Sequence, residues 1–346
     1  MIATLIALAV GLAFGAVVQR THFCTMGAIA DVALFRSLRR AKGWLLALAV
    51  AMAATQAAMA TGWLRLDDGP YGWSAIPWAA AVSGGVAFGF GMVLAGGCIS
   101  RNLARAGAGS LKAVVTLVLA ATVGAVTLAV MATPTASTFL RGLDVDLSGP
   151  VATTIRGITG LGVALAMGLY CVADRRLRQN PRELWGGIAI GSLVPVAWIA
   201  GHFATAPSAA GGLTFAIPLA STLASATQPP LSLPGFAAGL VGGAIAGAHG
   251  MARLDRQLRI ETFTGSSDMI RHLVGGVLMG VGGSLAGGCT VGHGITGLAA
   301  LAPVSALAVG GMIVGCLWAL RWLETGRLLS ARRSPPAGTG PSLSAR

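Results

Sequence analysis

Residues 84–98 read GGVAFGFGMVLAGGC, and residues 275–289 read GGVLMGVGGSLAGGC. Aligned on Cys98 and Cys289, the stretches agree at 84, 85, 86, 89, 91 and 94–98, ten of fifteen positions. Each is an apolar, glycine-studded run that ends in Ala-Gly-Gly-Cys. Each then passes into a polar, glycine-containing turn, ISRNLARAGAG after the first and TVGHGITGLA after the second. A looser relative, GLAFGAVVQRTHFC, opens the chain and ends at Cys24. Three thiols at the ends of three related segments are the feature to explain.

The setting of these segments is a membrane. The chain has 346 residues, of which 55% are hydrophobic and only 10% charged, and 51 are glycine. Mean hydropathy is +0.76. Soluble domains carry about 25% charged residues, and apolar runs of roughly 17 to 25 residues span a bilayer as helices. Alternating ten-residue segments of a membrane β-barrel are absent. The fold class is therefore an all-α polytopic membrane protein. No cleavable signal peptide is expected, because the first run lacks a basic leading region and carries a repeat-like motif of its own.

Nine crossings are expected, at about 2–20, 43–63, 78–97, 110–133, 151–173, 184–201, 235–251, 271–288 and 303–323. Residues 25–40, 99–108 and 290–301 are too short to span and read as half-helices or re-entrant segments. Such backbone survives at membrane depth only under protein or beside a water-filled cavity. These segments would bring helix N-termini, with their free N–H groups, close to the thiols.

The net charge of +13 sits in short loops, which points to membrane orientation and not to nucleic acid. Arg36, Arg39, Arg40 and Lys42, then Arg101, Arg105 and Lys112, then Arg175, Arg176, Arg178 and Arg182, then Arg253, Arg256 and Arg259 fall on one side. Loops 64–77, 134–150 and 202–234 hold only Arg65 and Arg141, against Asp67, Asp68, Asp144 and Asp146. Positive-inside logic puts the N-terminus outside and the C-terminus in the cytoplasm of a plasma-membrane protein. The two Ala-Gly-Gly-Cys runs then cross in opposite directions, the mark of inverted repeats, here about 1–133 and 235–323 within one transport domain, 1–324. Loop 202–234 reads as an external cover, and 325–346 as a disordered tail.

Paired glycines let a ligand approach the main chain closely, and successive N–H groups form an anion-binding concavity. Gly96 and Gly97, like Gly287 and Gly288, place such a concavity beside a thiol, a soft sulfur with a weak S–H donor. The combination suits a sulfur oxyanion with a terminal sulfur. Phosphate or sulfate has no need of a thiol. Near Cys24, Arg20 would attract an anion and Gln19 would donate to it. Arg101 and Arg105, at i and i+4, share one face, useful for an anion or for anchoring. His22 and His293 sit beside cysteine motifs as donors or as plain hydrogen-bonding residues. Asp31 is expected to pair with Arg20 or Arg36. Cys171 and Cys316, without Gly-Gly neighbours, read as packing residues, and all five cysteines as free thiols.

The segments Gln-Arg-x-x-Phe-Cys-x-x-Gly-Ala, Ala-Gly-Gly-Cys-x-x-Arg-x-x-x-Arg and Leu-Met-Gly…Leu-Ala-Gly-Gly-Cys-Thr-x-Gly-x-Gly together resemble the YeeE/YedE family of bacterial sulfur-compound transporters. The likeness runs from about residue 8 to 323. It implies thiosulfate uptake across the inner membrane through an hourglass-shaped helical protein, with no cofactor. It implies that Cys24, Cys98 and Cys289 line the path and pass the ion along by S–H···S contacts. It also implies a small cytoplasmic partner resembling a TusA-type sulfurtransferase; no such domain is in this chain. Two other readings differ in class. A metal transporter would use Cys24, Cys98, Cys289, His22 and His293 as ligands, against the net positive charge. A membrane sulfurtransferase would carry a persulfide on one cysteine, activated by His22 or Arg101.

Overall fold

A computed structural model of the chain describes residues 2–64, 71, 76–134, 150–202, 212–226 and 235–333. In chain order the helices are α1 (Ile2–Thr21), α2 (Thr25–Phe35), α3 (Arg39–Ala60), α4 (Trp78–Leu94), α5 (Ile99–Gly107), α6 (Leu111–Met131) and α7 (Pro150–Ala173). Next come α8 (Arg175–Arg178), α9 (Pro181–His202), α10 (Ala216–Ala226), α11 (Gly235–Leu254), α12 (Ser266–Ala286), a π-helix (Gly292–Gly297) and α13 (Pro303–Arg333). No strand is present among the described residues; Ser110 and Glu261 form one isolated bridge.

Among the described residues, eight helical stretches are long and apolar enough to cross a membrane. Two of them, Ala3–Phe35 and Trp78–Gly107, are helix pairs interrupted at the cysteine motifs. The expected half-helices 25–40 and 99–108 are thus α2 and α5, joined end to end with a longer helix. The fifth expected crossing, 151–173, is α7, which contributes only the shorter apolar helix Thr159–Ala173. The last helix runs on to Arg333, past the expected start of the tail at 325; residues 334–346 lie outside the described set, as do Arg65, Asp67, Asp68, Arg141, Asp144 and Asp146.

Loop 202–234, read from sequence as an external cover, is described over part of its length. Its described part, 212–226, contains α10, and Leu213 and Phe215 are fully buried. Phe215 stacks on Phe14 of α1 with ring centroids 4.6 Å apart. Its apolar residues find a partner surface in the core, and backbone there is satisfied by helix formation.

The two motif copies pack on each other through glycine. A Cβ added at Gly84 of α4 would lie 2.6 Å from the Ala286 nitrogen and 2.8 Å from the Gly282 oxygen. At the aligned Gly275 of α12 it would lie 2.8 Å from the Ala95 nitrogen and 2.8 Å from the Gly91 oxygen. Those partners are themselves aligned pairs, Ala95 with Ala286 and Gly91 with Gly282. So α4 and α12 cross antiparallel with equivalent contacts on both sides, backbone against backbone, as small-residue faces allow in lipid. The helices α1 and α11 repeat the device: Gly11 and Gly15 face Leu240 and Ala244, while Gly243 and Gly247 face Leu8 and Leu12.

Candidate functional site

Each of the three thiols lies just past the same local break. The chain leaves a long helix, the residue two before the cysteine turns left-handed, and the cysteine starts a second helix. His22 has φ 57°, Gly96 φ 67° and Gly287 φ 81°. After α4, Gly96 N–H donates to Val93 O (3.2 Å) and Gly97 N–H to Met92 O (2.8 Å). After α12, Gly287 N–H donates to Ser284 O (3.3 Å) and Gly288 N–H to Gly283 O (2.9 Å). The second bond of each pair closes a left-handed helix cap. The Ala-Gly-Gly-Cys signature is therefore a helix stop written twice, and left-handed backbone explains why its middle residue is glycine.

The cysteines then sit at the heads of the next helical segments. Cys24 Sγ accepts from Gly27 N–H at 3.4 Å at the head of α2. Cys98 occupies the N-cap of α5, its sulfur 3.2 Å from Ser100 Oγ. Cys289 Sγ accepts from Gly292 N–H at 3.5 Å as the π-helix begins, with Thr214 Oγ1 4.0 Å away. Cys24 is partly buried, and Cys98 and Cys289 are buried. The Cys24 and Cys98 side chains interact with one another, and so do those of Cys98 and Cys289. Cys98 is thus the neighbour that the other two share. Cys171 packs with Leu46 and Leu177 in a separate cluster, and Cys316 lies in the main core away from any Gly-Gly turn.

The other residues marked from sequence divide. Gly97 and Gly288 are buried, whereas Gly96 and Gly287 are exposed at the two turns. Arg101 donates to Val18 O (3.4 Å) and to His22 Nδ1 (3.3 Å), tying the Cys98 segment to the Cys24 turn. Gln19 is buried and donates to Gln257 Oε1 at 3.3 Å. Arg20, expected to face an anion, lies exposed at the end of α1. Asp31 pairs with Arg40 at 3.4 Å and not with Arg20 or Arg36. A left-handed Arg36 ends α2 and turns the chain so that the first turn of α3 comes back against it.

His293 is fully engaged. Its Nε2–H donates to Ala286 O (2.8 Å) and its Nδ1 accepts from Ser305 Oγ (2.9 Å). It is 2% exposed and fastens the π-helix to the end of α12. No group of three His, Cys, Asp or Glu side chains able to hold a metal occurs among the described residues.

In the last turn of α5, Arg105 binds Asn102 Oδ1 (3.3 Å), Ala95 O (3.5 Å) and Glu261 Oε2 (3.1 Å). Glu261 also accepts from Ser110 Oγ at 2.9 Å. Burial pushes the Glu261 carboxyl up, but the bonds from Ser110 and Arg105 outweigh it and hold the group below the usual carboxylate range. Lys42 bonds to Asp174, which is likewise held low, chiefly by that bond.

Sequence reasoning passes over Ser100 and Thr290, although each lies within two residues of a motif cysteine. Thr214 and Tyr71 carry no signal, since both come from segments that read as outer loops.

The sulphur transport family matches residues 20–318, a span that contains all three turns. The chain belongs to this family. Two relatives named thiosulfate transporter TsuA are each 27% identical to it. The one from Escherichia coli strain K12 matches over 338 residues, 90% of this chain and 92% of the relative. The one from Spirochaeta thermophila matches over 337 residues, 91% and 97%. With its apolar helices, the chain is a multi-pass membrane transporter of the sulphur transport family and not an enzyme.

Proposed function

We propose that the protein carries thiosulfate into the cytoplasm through a path lined by Cys24, Cys98 and Cys289. The observation that carries this reading is the set of three thiols, each just past a broken helix and at the head of a new helical segment. The two relatives named for thiosulfate transport support the cargo. The thiols are neutral in this mechanism, because a thiolate would repel a dianion. Each S–H donates to the terminal sulfur of the ion, and each contact is weak enough for release to the next. Gly96, Gly97, Gly287 and Gly288 open the main chain beside the path, and Arg101 adds positive charge near Cys24 and Cys98.

The two antiparallel motif copies form an inverted repeat around that path, narrow at the thiols and wider on either side. The basic loops set the N-terminus outside and the C-terminus in the cytoplasm of the bacterial inner membrane. Entry of a dianion against a negative-inside potential costs about 2.3 kcal/mol per charge per 100 mV, so cytoplasmic consumption of the ion pulls uptake forward. A small TusA-like sulfurtransferase is the fitting consumer.

Uptake of labelled thiosulfate by cells expressing the protein tests the reading. Cys→Ser at position 24, 98 or 289 lowers uptake sharply, since a hydroxyl keeps a donor but loses the soft sulfur. Unchanged uptake in all three variants overturns the thiol path. Appearance of only the outer sulfur, bound to protein, overturns transport of the intact ion.

A further inference from the structure

Thiols answer to the sulfur end of the cargo and leave its oxygens without partners. The oxygens have candidates of their own beside the same thiols. Ser100 Oγ lies 3.2 Å from Cys98 Sγ. Thr290, the residue after Cys289, is 1% exposed. Its hydroxyl lies beside the Cys98 thiol and has no other hydrogen-bond partner among the described residues. Thr214 Oγ1 lies 4.0 Å from Cys289 Sγ and interacts with the phenol of the buried Tyr71.

The site is built around Gly292. A Cβ there would fall 2.4 Å from Thr214 Oγ1 and 3.2 Å from the Tyr71 oxygen, so both hydroxyls reach the turn whose N–H binds the Cys289 sulfur. Tyr71 is held edge-on against Trp198, with centroids 5.7 Å apart, and the Trp198 indole N–H is buried without a partner. Buried donors left unpaired are costly in an apolar interior. Trp198 has no partner and Thr290 none beyond the Cys98 thiol, so each marks a place where an acceptor is expected.

We propose that Ser100, Thr290, Thr214 and Tyr71 form a second row of uncharged donors that holds the oxygen-bearing end of a sulfur oxyanion while the thiols hold its terminal sulfur. The proposal rests on the thiosulfate reading and extends it from one end of the ion to both. Neutral hydroxyls suit the task. They stabilise a dianion out of water, yet bind it less firmly than a lysine or arginine, so it moves on. A sulfur species without oxygens uses only the thiol row.

The test is initial-rate uptake of labelled thiosulfate by vesicles containing the full chain, across a range of concentrations. Thr290→Val keeps the shape and removes the hydroxyl; Thr290→Ser keeps the hydroxyl. Thr290→Val raises the half-saturating concentration about tenfold or more, the effect of losing a hydrogen bond to a charged group, while the maximal rate changes far less. Thr290→Ser stays near the unsubstituted value, and Ser100→Ala and Thr214→Val shift in the same direction as Thr290→Val. Should Thr290→Val fail to fold, judged by its elution after extraction, the other two variants carry the test. Unchanged half-saturation in the folded variants overturns this proposal alone. So does an equal loss in Thr290→Ser, which marks a packing role. Absence of uptake by the unsubstituted protein overturns the transport reading and this proposal with it.

Discussion

The turns at Cys98 and Cys289 begin alike and continue differently. Both come after a glycine-faced helix, both close with the same pair of backbone bonds, and both put a thiol at the start of a new helix. After Cys98 comes α5, a regular helix whose Arg101 and Arg105 reach His22 and Glu261. After Cys289 comes a π-helix that is buried throughout, carries no carboxylate or guanidinium, and is fastened by the side chains of His293 and Thr296. Its loose i to i+5 winding is rare and often sits at functional sites. One hinge is thus held by charge near an aqueous edge, and the other by uncharged hydrogen bonds inside the protein. A shared stop signal fixes the turn, and the residues after it decide what holds the turn in place.

The equivalence of the two helices breaks first under added volume. Gly84→Leu and Gly275→Leu each force a side chain into opposing backbone less than 3 Å away, and both abolish folded, monodisperse protein after extraction. A stable product from one and not the other would show that the crossing is lopsided.

The uncharged hinge is sharpened next. His293→Phe leaves the Ala286 carbonyl and the Ser305 hydroxyl unpaired and lowers stability by about 1–3 kcal/mol, measured as a fall in thermal midpoint in detergent. Neither Arg101→Ala nor Arg105→Ala matches it, because both side chains are only half-buried.

Smaller effects come from the turns themselves. Gly96→Ala and Gly287→Ala each cost about 1–2 kcal/mol for left-handed backbone. The loss at Gly96 is slightly larger, since its new Cβ also meets Arg105 Nη1 at 3.3 Å, whereas Gly287 has open space. Asparagine at either site recovers part of the loss.

The charged side gives the smallest shift and the only one set by pH. Glu261→Gln lowers stability by about 0.2–1 kcal/mol. The Glu261 carboxyl is held low in the fold, so its contribution is present above the ordinary carboxylate pKa and is lost as pH falls through the folded value. The thermal midpoint of Glu261→Gln therefore converges on that of the unsubstituted protein in acid. A gap that stays constant with pH would remove charge from the forces holding this hinge.

Much of this is legible in the chain. Apolar runs mark the spans, and the length of 25–40 and 99–108 marks short helices after the breaks. The repeat of Ala-Gly-Gly-Cys marks two equivalent turns. Less is visible wherever distant segments meet. Asp31 has Arg20 and Arg36 as candidate partners by sequence, but the side chain that reaches it is Arg40, because Arg36 reverses the chain. Arg20 has the residue type for an anion and lies exposed. His293 sits beside a thiol motif, yet Ser305, twelve residues on, takes up its second nitrogen. The π-helix has no composition cue, and nothing in the Ser- and Ala-rich segment 212–226 announces that Thr214 comes to rest against Cys289.

The third turn uses a histidine where the other two use glycine. His22 adopts φ 57° and receives the Arg101 guanidinium on its ring, so the tether joins the first break to the second. Any rearrangement that keeps this contact carries the Cys24 and Cys98 sulfurs as one rigid unit. The Cys289 turn is fastened to other partners, to α12 and α13 through His293 and to Leu213 through Thr296, so the seam of any relative motion falls between the second sulfur and the third.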